Sequence, residues 1–152
     1  MRALRDWLRR ARHEKLPHRW FERFRVRRTL GQRGEVAAAR YLKGQGYTIV
    51  ARGDRSPWGE IDLVAVDGRT VVFVEVKTRR SHDRGHPAEA VDLRKQRQIT
   101  RAALAYLKRH QLLENACRFD VVAVTWPIEA RRPTIEHFRS AFDAADRGPM
   151  FG

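Results

Sequence analysis

The sequence predicts an α/β fold, a three-layer sandwich with a central mixed β-sheet and helices on both faces. Apolar runs at residues 61–66, 71–76 and 121–124 are typical of buried strands, and segments with helical spacing precede and follow the first two runs. Elements in the order helix, strand, two hairpin strands, helix and strand form such a sandwich. With 152 residues, 42% of them apolar, the chain is long enough for one packed core.

Residues 1–30 are expected to form a basic helical extension. Residues 1–28 hold 11 Lys or Arg and 3 acids. Apolar residues recur in them at helical spacing, interrupted by Pro17, at Leu4, Trp7, Leu8 and Ala11 and then at Leu16, Trp20 and Phe24. Two short amphipathic helices are therefore predicted. They can pack on the domain with their arginines in solvent, contact nucleic acid, or lie on an anionic membrane surface.

The next elements lead into the sheet. The Ala-rich segment 31–43 predicts a helix that ends near Gly44 and Gly46. Residues 47–51 are strand-like, and residues 54–57 predict a turn. A single strand is therefore expected between the first helix of the domain and the hairpin.

A β-hairpin is predicted in the middle of the chain. Residues 60–66 and 70–78 are rich in Val, Ile and Phe, as strands are. Asp67-Gly68 between them is a strong signal for a tight hairpin turn. Two adjacent antiparallel strands are the expected result.

The rest of the domain, which we place at residues 31–142, is predicted to add a helix and two strands. We expect a polar loop at 79–87, a helix from Pro87 or Ala88 to His110, a buried strand at 119–124, an edge strand at 134–138 and a flexible tail at 143–152. The helix and the buried strand complete the sandwich.

The composition indicates a polyanionic partner and a reducing compartment. The formal net charge is +14 and the pI is about 11.3, which favours binding to nucleic acid, an anionic membrane surface or an acidic protein. The lone Cys117 excludes an intramolecular disulfide and any Cys-rich metal cluster. No apolar run approaches the roughly 20 residues that span a bilayer, and no secretory signal is apparent. A cytoplasmic protein is expected.

Ionisable side chains interrupt the two predicted hairpin strands. Glu60 and Asp62 lie in the first strand, and Glu75 and Lys77 in the second. Residues two apart on a strand share a face and lie roughly 6 to 7 Å apart along it. An isolated carboxylate in a packed sheet costs several kcal/mol unless a cation, a metal or hydrogen bonds compensate it. The pattern therefore predicts a functional site rather than a solvated ion pair.

The chemistry of this site suits a hard divalent cation. The carboxylates of Asp62 and Glu75 and the backbone carbonyl of Val76 are oxygen ligands of the kind that Mg²⁺ or Mn²⁺ prefers. Such an ion can contact a phosphate oxygen, lower the pKa of a bound water and offset developing negative charge. Lys77 can orient or deprotonate that water, or neutralise the transition state. Glu35 and Glu60 are candidates for further ligands or for holding water.

These residues form an ordered motif set that resembles the YraN-like bacterial family, also known as uncharacterised protein family 0102. The motifs are Gly34-Glu35, Gly59-Glu60-Ile61-Asp62, Val74-Glu75-Val76-Lys77, and Pro87-Ala88-Glu89-Ala90-Val91 with Arg94-Lys95-Gln96. The resemblance covers about residues 31–126. That family looks like a branch of the PD-(D/E)xK nuclease superfamily, akin to archaeal Holliday junction resolvases.

The resemblance implies a restriction-endonuclease-like fold with an α-β-β-β-α-β core and a Mg²⁺- or Mn²⁺-dependent endonuclease activity. It places Asp62, Glu75 and Lys77 at the acid and acid-x-lysine positions, and Glu35 at the helical acid position. Related RecB-like nucleases carry Gln-x-x-x-Tyr on the following helix, whereas here Gln96 is followed four residues later by Thr100. Arg94, Lys95 and Gln96 are therefore only candidate phosphate contacts.

Three functions remain open at the level of sequence. The first is a metal-dependent endonuclease that hydrolyses phosphodiester bonds in nucleic acid, with DNA, branched or structured DNA included, as the expected substrate. The second is a nucleic-acid-binding module that uses a nuclease fold without catalysis. The third is an adaptor that binds a membrane surface or an acidic protein through residues 1–28. A homodimer would suit a two-fold symmetric substrate.

Overall fold

Three α-helices and five strands make up the computed structural model, which describes residues 2–13, 28–83, 85–86, 89 and 91–145. The helices are α1 (Arg2–His13), α2 (Leu30–Gly44) and α3 (Leu93–Arg109), and the strands are β1 (Thr48–Ser56), β2 (Gly59–Asp67), β3 (Thr70–Arg79), β4 (Cys117–Thr125) and β5 (Thr134–Phe142). None of these helices is both long enough and apolar enough to cross a membrane.

The strands form one mixed sheet in the order β1-β2-β3-β4-β5, in which only β3 and β4 are parallel. One face packs against α1 and α3, and the other packs against α2. The parallel pair requires a crossover, and α3 provides it. The predicted sandwich is therefore confirmed, with the α-β-β-β-α-β core running from α2 to β4 in a restriction-endonuclease-like fold.

Helix α1 packs on the sheet through its apolar side. Leu4 and Trp7 are buried, and the Trp7 ring meets Tyr106 of α3 edge to face with 6.2 Å between ring centroids. The first of the two predicted N-terminal helices is thus confirmed. The second, at residues 16–24, lies outside the described residues. The arginines of α1 remain exposed, namely Arg2, Arg5, Arg9, Arg10 and Arg12.

The predicted turn at residues 54–57 is wrong, because β1 continues through Ser56 and the chain reverses at Pro57-Trp58. Asp54 and Arg55 suggested a turn, yet both are held by tertiary ion pairs. Asp54 accepts hydrogen bonds from Arg109 at 2.8 and 2.9 Å, and Arg55 donates to Glu60 at 3.0 Å. Pairing with Arg109 and Glu60, rather than local turn propensity, accounts for the extended conformation of these two residues.

Two other predicted boundaries also differ. Helix α3 begins at Leu93 rather than at Pro87 or Ala88, since the Asp92 side chain accepts a hydrogen bond from Lys95 N at 2.8 Å and caps the helix. Strand β5 extends to Phe142 instead of ending at 138, and its last ring stacks on Phe119 with 5.0 Å between centroids. The Asp67-Gly68 hairpin turn is confirmed, with Gly68 at a φ of +60°.

Gly34 allows α2 to lie close against β3. A Cβ atom at this position would be 1.8 Å from Thr78 Oγ1 and 2.8 Å from Thr78 Cβ. No side chain fits in that space without a shift of helix or strand. The close approach also sets the position of Glu35, the next residue of the helix.

We expect Gly34→Ala to lower the free energy of unfolding by about 1–3 kcal/mol, the usual cost of overpacking, although alanine has the higher helix propensity. Urea denaturation measures the change. Gly44→Ala is the matched control, because no atom lies within 4 Å of a Cβ there. Equal responses of the two variants would show that the contact with Thr78 does not restrict position 34.

Candidate metal and catalytic site

The candidate site lies where β2 and β3 separate. Their pairing runs from Asp67 and Thr70 to Leu63 and Val74. One residue beyond the last pair, the Asp62 side chain replaces the backbone as hydrogen-bond acceptor: Val76 N–H donates to Asp62 Oδ2 at 2.8 Å. The carboxylate of Asp62 therefore bridges the gap between the strands and lies beside Glu75.

Glu75 is a buried carboxylate held by two lysines. It is 5% exposed, and its Oε1 lies 3.2 Å from Lys77 Nζ and 3.6 Å from Lys95 Nζ. The shared face predicted for Glu75 and Lys77 is confirmed by their contact. Lys95 reaches the same oxygen from α3. A solvated surface ion pair does not describe this group.

Asp62 is destabilised as an anion. Burial, followed by the negative charges of Glu75 and Glu35, raises its pKa to about 7, although the Val76 N–H and Lys95 act in the opposite direction. Repulsion among carboxylates that share a partly desolvated space is what a bound cation would relieve. Perturbed acids of this kind cluster at functional sites.

Glu35 joins the cluster from the other side of the sheet. Burial raises its pKa, and the charges of Glu60 and Glu75 raise it further. Helix α2 begins after the Thr29 cap, whose side chain accepts from Gln32 N, and the close approach of Gly34 to Thr78 sets its first turns against the end of β3. The helix thereby places Glu35 within electrostatic reach of the strand acids.

The other predicted residues lie at the edge of the site or turn away from it. Glu60 forms a salt bridge with Arg55 at 3.0 Å and is partly exposed. Gln96 donates to the Val91 carbonyl at 2.9 Å, in the segment that leads into α3. Arg94 lines a neighbouring cleft instead.

The donor set fits a divalent cation that keeps much of its hydration. Within the described ranges, no group of three or more His, Cys, Asp or Glu is arranged to hold a metal ion. Mg²⁺ is usually bound by one or two carboxylates, with water and substrate oxygens completing its shell. Asp62 and Glu75 are the two carboxylates available for this role, because they lie close enough at the β2–β3 junction for the charge of Glu75 to raise the pKa of Asp62.

We expect Asp62→Asn to stabilise the metal-free protein at pH 8. The pKa of Asp62 is higher in the folded state (about 7) than in an unfolded chain (about 3.9). Its contribution to stability is therefore complete below pH 4 and is lost as the pH rises through 7. At pH 8 the variant should exceed the wild type by about 1–3 kcal/mol, and the difference should shrink towards pH 4.

Urea unfolding in EDTA at a series of pH values measures this effect. Glu114→Gln, at an exposed position, controls for the loss of one negative charge from a cationic protein. A loss of stability in Asp62→Asn at pH 8 would mean that the ionised Asp62 carboxylate stabilises the fold instead of destabilising it.

A second buried carboxylate was missed by the sequence interpretation. Asp120 of β4 is fully buried and accepts hydrogen bonds from Arg118 Nε at 3.0 Å, Ser140 N at 3.0 Å and His137 Nε2 at 2.8 Å. Burial alone would raise its pKa, but the hydrogen bonds from His137, Arg118 and Ser140 lower it overall. The signal was the same as for Glu75, a carboxylate within an apolar run.

Arg118 extends this network across the sheet. It donates to Asp67 Oδ2 at 2.9 Å and to the Tyr47 hydroxyl at 2.6 Å. Asp120 pairs in register with Val74, whose side chain faces α2. The network therefore lies on the sheet face opposite Glu75, where it stabilises the fold.

The mixed sheet, the α-β-β-β-α-β order and the acid and lysine cluster at the β2–β3 junction define a restriction-endonuclease-like α/β protein. Residues 34–124 match the model of the uncharacterised protein family UPF0102. The chain belongs to this family, which is the YraN-like family. The resemblance predicted from the motifs is confirmed, and Glu35, Asp62, Glu75, Lys77 and Lys95 all lie within the matched span.

Bacterial relatives align over most of the chain. A UPF0102 protein of Rhodopirellula baltica is 48% identical over 141 residues, which cover 88% of this chain and 84% of the relative. Another, from Geotalea uraniireducens, is 49% identical over 118 residues (78% of this chain and 92% of the relative). A third, from Geobacter sulfurreducens, is 51% identical over 116 residues (76% and 90%).

Proposed function

We propose that the protein is a metal-dependent endonuclease that hydrolyses phosphodiester bonds in DNA. One observation carries this proposal: where β2 and β3 separate, the buried Glu75 lies beside Asp62, whose anionic form is destabilised. Lys77 contacts the Glu75 carboxylate at this place. Burial and neighbouring carboxylates raise the pKa of Asp62 to about 7, and acids perturbed in this way are concentrated at functional sites, which supports the proposal.

Each residue of the cluster has a distinct role in this proposal. Asp62 and Glu75, with the Val76 carbonyl, would hold Mg²⁺ or Mn²⁺, and the ion would supply charge stabilisation at the reacting phosphate. Lys77 places its ammonium group beside the acids, where it neutralises charge on a bound phosphate. Lys95 holds Glu75 in position from α3. Glu35 and Glu60 orient water at the rim.

The surface charge supports a nucleic-acid substrate. The chain has a formal net charge of +14, and the arginines of α1 are exposed beside the domain. Phosphate contacts by Arg and Lys dominate the affinity of most DNA-binding proteins. The packing of α1 argues against a membrane-surface role for this helix, because Leu4 and Trp7, the residues that would enter a bilayer, are buried in the core.

A cleavage assay tests the proposal. Purified protein is incubated with end-labelled branched, single-stranded and duplex DNA in Mg²⁺, in Mn²⁺ or in EDTA. We expect cleavage that requires the divalent cation and is lost in Lys77→Ala. Lys43→Ala, an exposed change at the end of α2, is the matched control. Undiminished cleavage by Lys77→Ala would exclude this site as the source of activity.

A second candidate function is a nucleic-acid-binding module without catalysis. The observation that favours it is that Glu75 Oε1 already contacts two ammonium groups, Lys77 Nζ at 3.2 Å and Lys95 Nζ at 3.6 Å, which neutralise this carboxylate without a metal ion. Under this function the wild type binds DNA, with an affinity that falls steeply as salt rises, and cleaves none of the substrates in either metal.

A further inference from the structure

A cleft of about 390 Å³ opens between the β1–β2 turn and helix α3. The described residues that line it are Trp58, Arg94, Arg97, Gln98 and Arg101. Trp58 is 50% exposed, although a large aromatic side chain is usually buried. No acidic side chain is among these lining residues, so the cleft joins an exposed indole to three guanidinium groups.

Hydrogen bonds fix the backbone of the turn that carries Trp58. The Trp58 backbone N–H donates to Ser56 Oγ at 3.2 Å, and the Ser56 hydroxyl donates to the Gly59 carbonyl at 3.1 Å. Gly59 has a φ of +129°, and a Cβ there would be 2.0 Å from Gln98 Nε2. Helix α3 therefore packs directly on the start of β2, and the turn that carries Trp58 is fixed against the helix.

The cleft adjoins the acid cluster through both of these elements. Lys95, which contacts Glu75, lies between Arg94 and Arg97 on α3. Asp62 follows Gly59 by three residues on β2, which corresponds to about 10 Å along a strand. A strand of nucleic acid that occupied the cleft would thus run towards Asp62 and Glu75.

The chemistry of the cleft points to an unpaired base with flanking phosphates. Arginine forks suit phosphate oxygens, and an exposed tryptophan provides a face on which a base can stack. The Arg101 guanidinium already lies 5.5 Å from the Trp58 ring centroid, where it can bind a phosphate next to a stacked base. Bases inside a duplex are stacked on each other and cannot reach the indole.

Within the endonuclease function proposed above, we infer that this cleft binds a single-stranded segment of DNA, with one base stacked on Trp58 and the adjacent phosphates on Arg94 and Arg101. The substrate class is then DNA that exposes unpaired bases next to the scissile bond. Fully paired duplex would be bound through its phosphates only.

Fluorescence anisotropy in EDTA tests this inference on the full chain. The probes are a labelled 12-nucleotide single strand and a blunt duplex of the same sequence. Trp58→Ala should weaken binding of the single strand by about tenfold, within the range for loss of base stacking, and change duplex binding less than about twofold. Trp58→Phe should keep most of the affinity, because a phenyl ring still stacks.

The arginines are tested by a different measurement, the salt dependence of DNA affinity. Arg101→Ala should weaken binding of both DNAs and reduce the slope of log affinity against log salt by about one. Arg132→Ala and Ile128→Ala are the controls, since both positions are exposed in the loop between β4 and β5, and Ile128 is 78% exposed. Neither control should change the preference between the two DNAs.

An equal loss of affinity for single strand and duplex in Trp58→Ala, or no loss for either, would overturn the inference. The outcome is independent of catalysis, because EDTA removes the metal. If the wild type cleaves DNA and Trp58→Ala binds single strands normally, only the role of the cleft is wrong. If no DNA is cleaved but the Trp58 effect is seen, single-strand binding stands and the endonuclease function fails.

Discussion

Glu75→Gln is expected to reduce DNA cleavage by at least about 100-fold, a loss typical of removing a group that stabilises transition-state charge. The amide keeps the size of the side chain but removes the charge that would hold a divalent cation. The fold should survive, because glutamine can still accept a hydrogen bond from Lys77 or Lys95. Loss of one negative charge from the site should also leave DNA affinity in EDTA unchanged or slightly raised.

The measurements are initial cleavage rates in Mg²⁺ or Mn²⁺ and DNA affinity in EDTA for the same preparation. Glu114→Gln makes the same chemical change at an exposed position and should cleave like the wild type. If Glu75→Gln retained more than about a tenth of the wild-type rate, the carboxylate would not be a metal ligand in the reaction. Parallel loss of cleavage and of DNA binding would indicate a disrupted fold instead.

Asp120→Ala is expected to lower the free energy of unfolding by about 3–5 kcal/mol, the usual cost of removing one partner from a buried ion pair. The change removes the carboxylate that accepts from His137 and the Ser140 N–H and leaves Arg118 with only Asp67 and Tyr47 as acceptors. Urea denaturation at neutral pH measures the loss. Asp67→Ala removes a partly exposed partner of Arg118 and should cost much less, because Asp120 still accepts from that guanidinium.

The pH dependence gives a second test of Asp120. Hydrogen bonds hold its pKa below the ordinary value despite burial, so its contribution to stability is present above the unfolded pKa of about 3.9 and is lost as the pH falls through the lower folded value. The gap between wild type and Asp120→Asn should therefore narrow below about pH 4. A constant gap, or a gap under about 1 kcal/mol at neutral pH, would contradict the network.

The order of elements and the pairing of the hairpin could be predicted because both depend on local pattern. The apolar runs and the Asp67-Gly68 turn are formed by neighbouring residues, and the shared face of Glu75 and Lys77 follows from strand geometry alone. The extent of β1 could not be predicted in this way. Asp54 has turn propensity, and its pairing with Arg109 joins residues that are 55 positions apart.

The site could be predicted only in part, because some of its residues are recognisable from local pattern and others come together only through tertiary packing. Asp62 and Glu75 are recognisable as carboxylates within apolar runs, but the contact of Lys95 with Glu75 depends on how α3 packs on the sheet. Asp120 carries the same signal, a carboxylate within an apolar run, but its contact with His137 depends on how β5 pairs with β4. The exposure of Trp58 has no local signature, since a Trp after Pro57 is equally compatible with a buried turn.

Anomalous diffraction from crystals grown with Mn²⁺ at pH 8 tests most directly whether the acid cluster is a metal site. We expect one strong peak roughly 2 Å from carboxylate oxygens of Asp62 and Glu75, with the Val76 carbonyl in the same shell and Lys77 displaced from Glu75 Oε1. The peak should be absent in crystals of Glu75→Gln. A wild-type map with no peak, in which Glu75 keeps its contacts with Lys77 and Lys95 and Asp62 keeps its bond to Val76 N, would contradict the proposed metal-dependent chemistry.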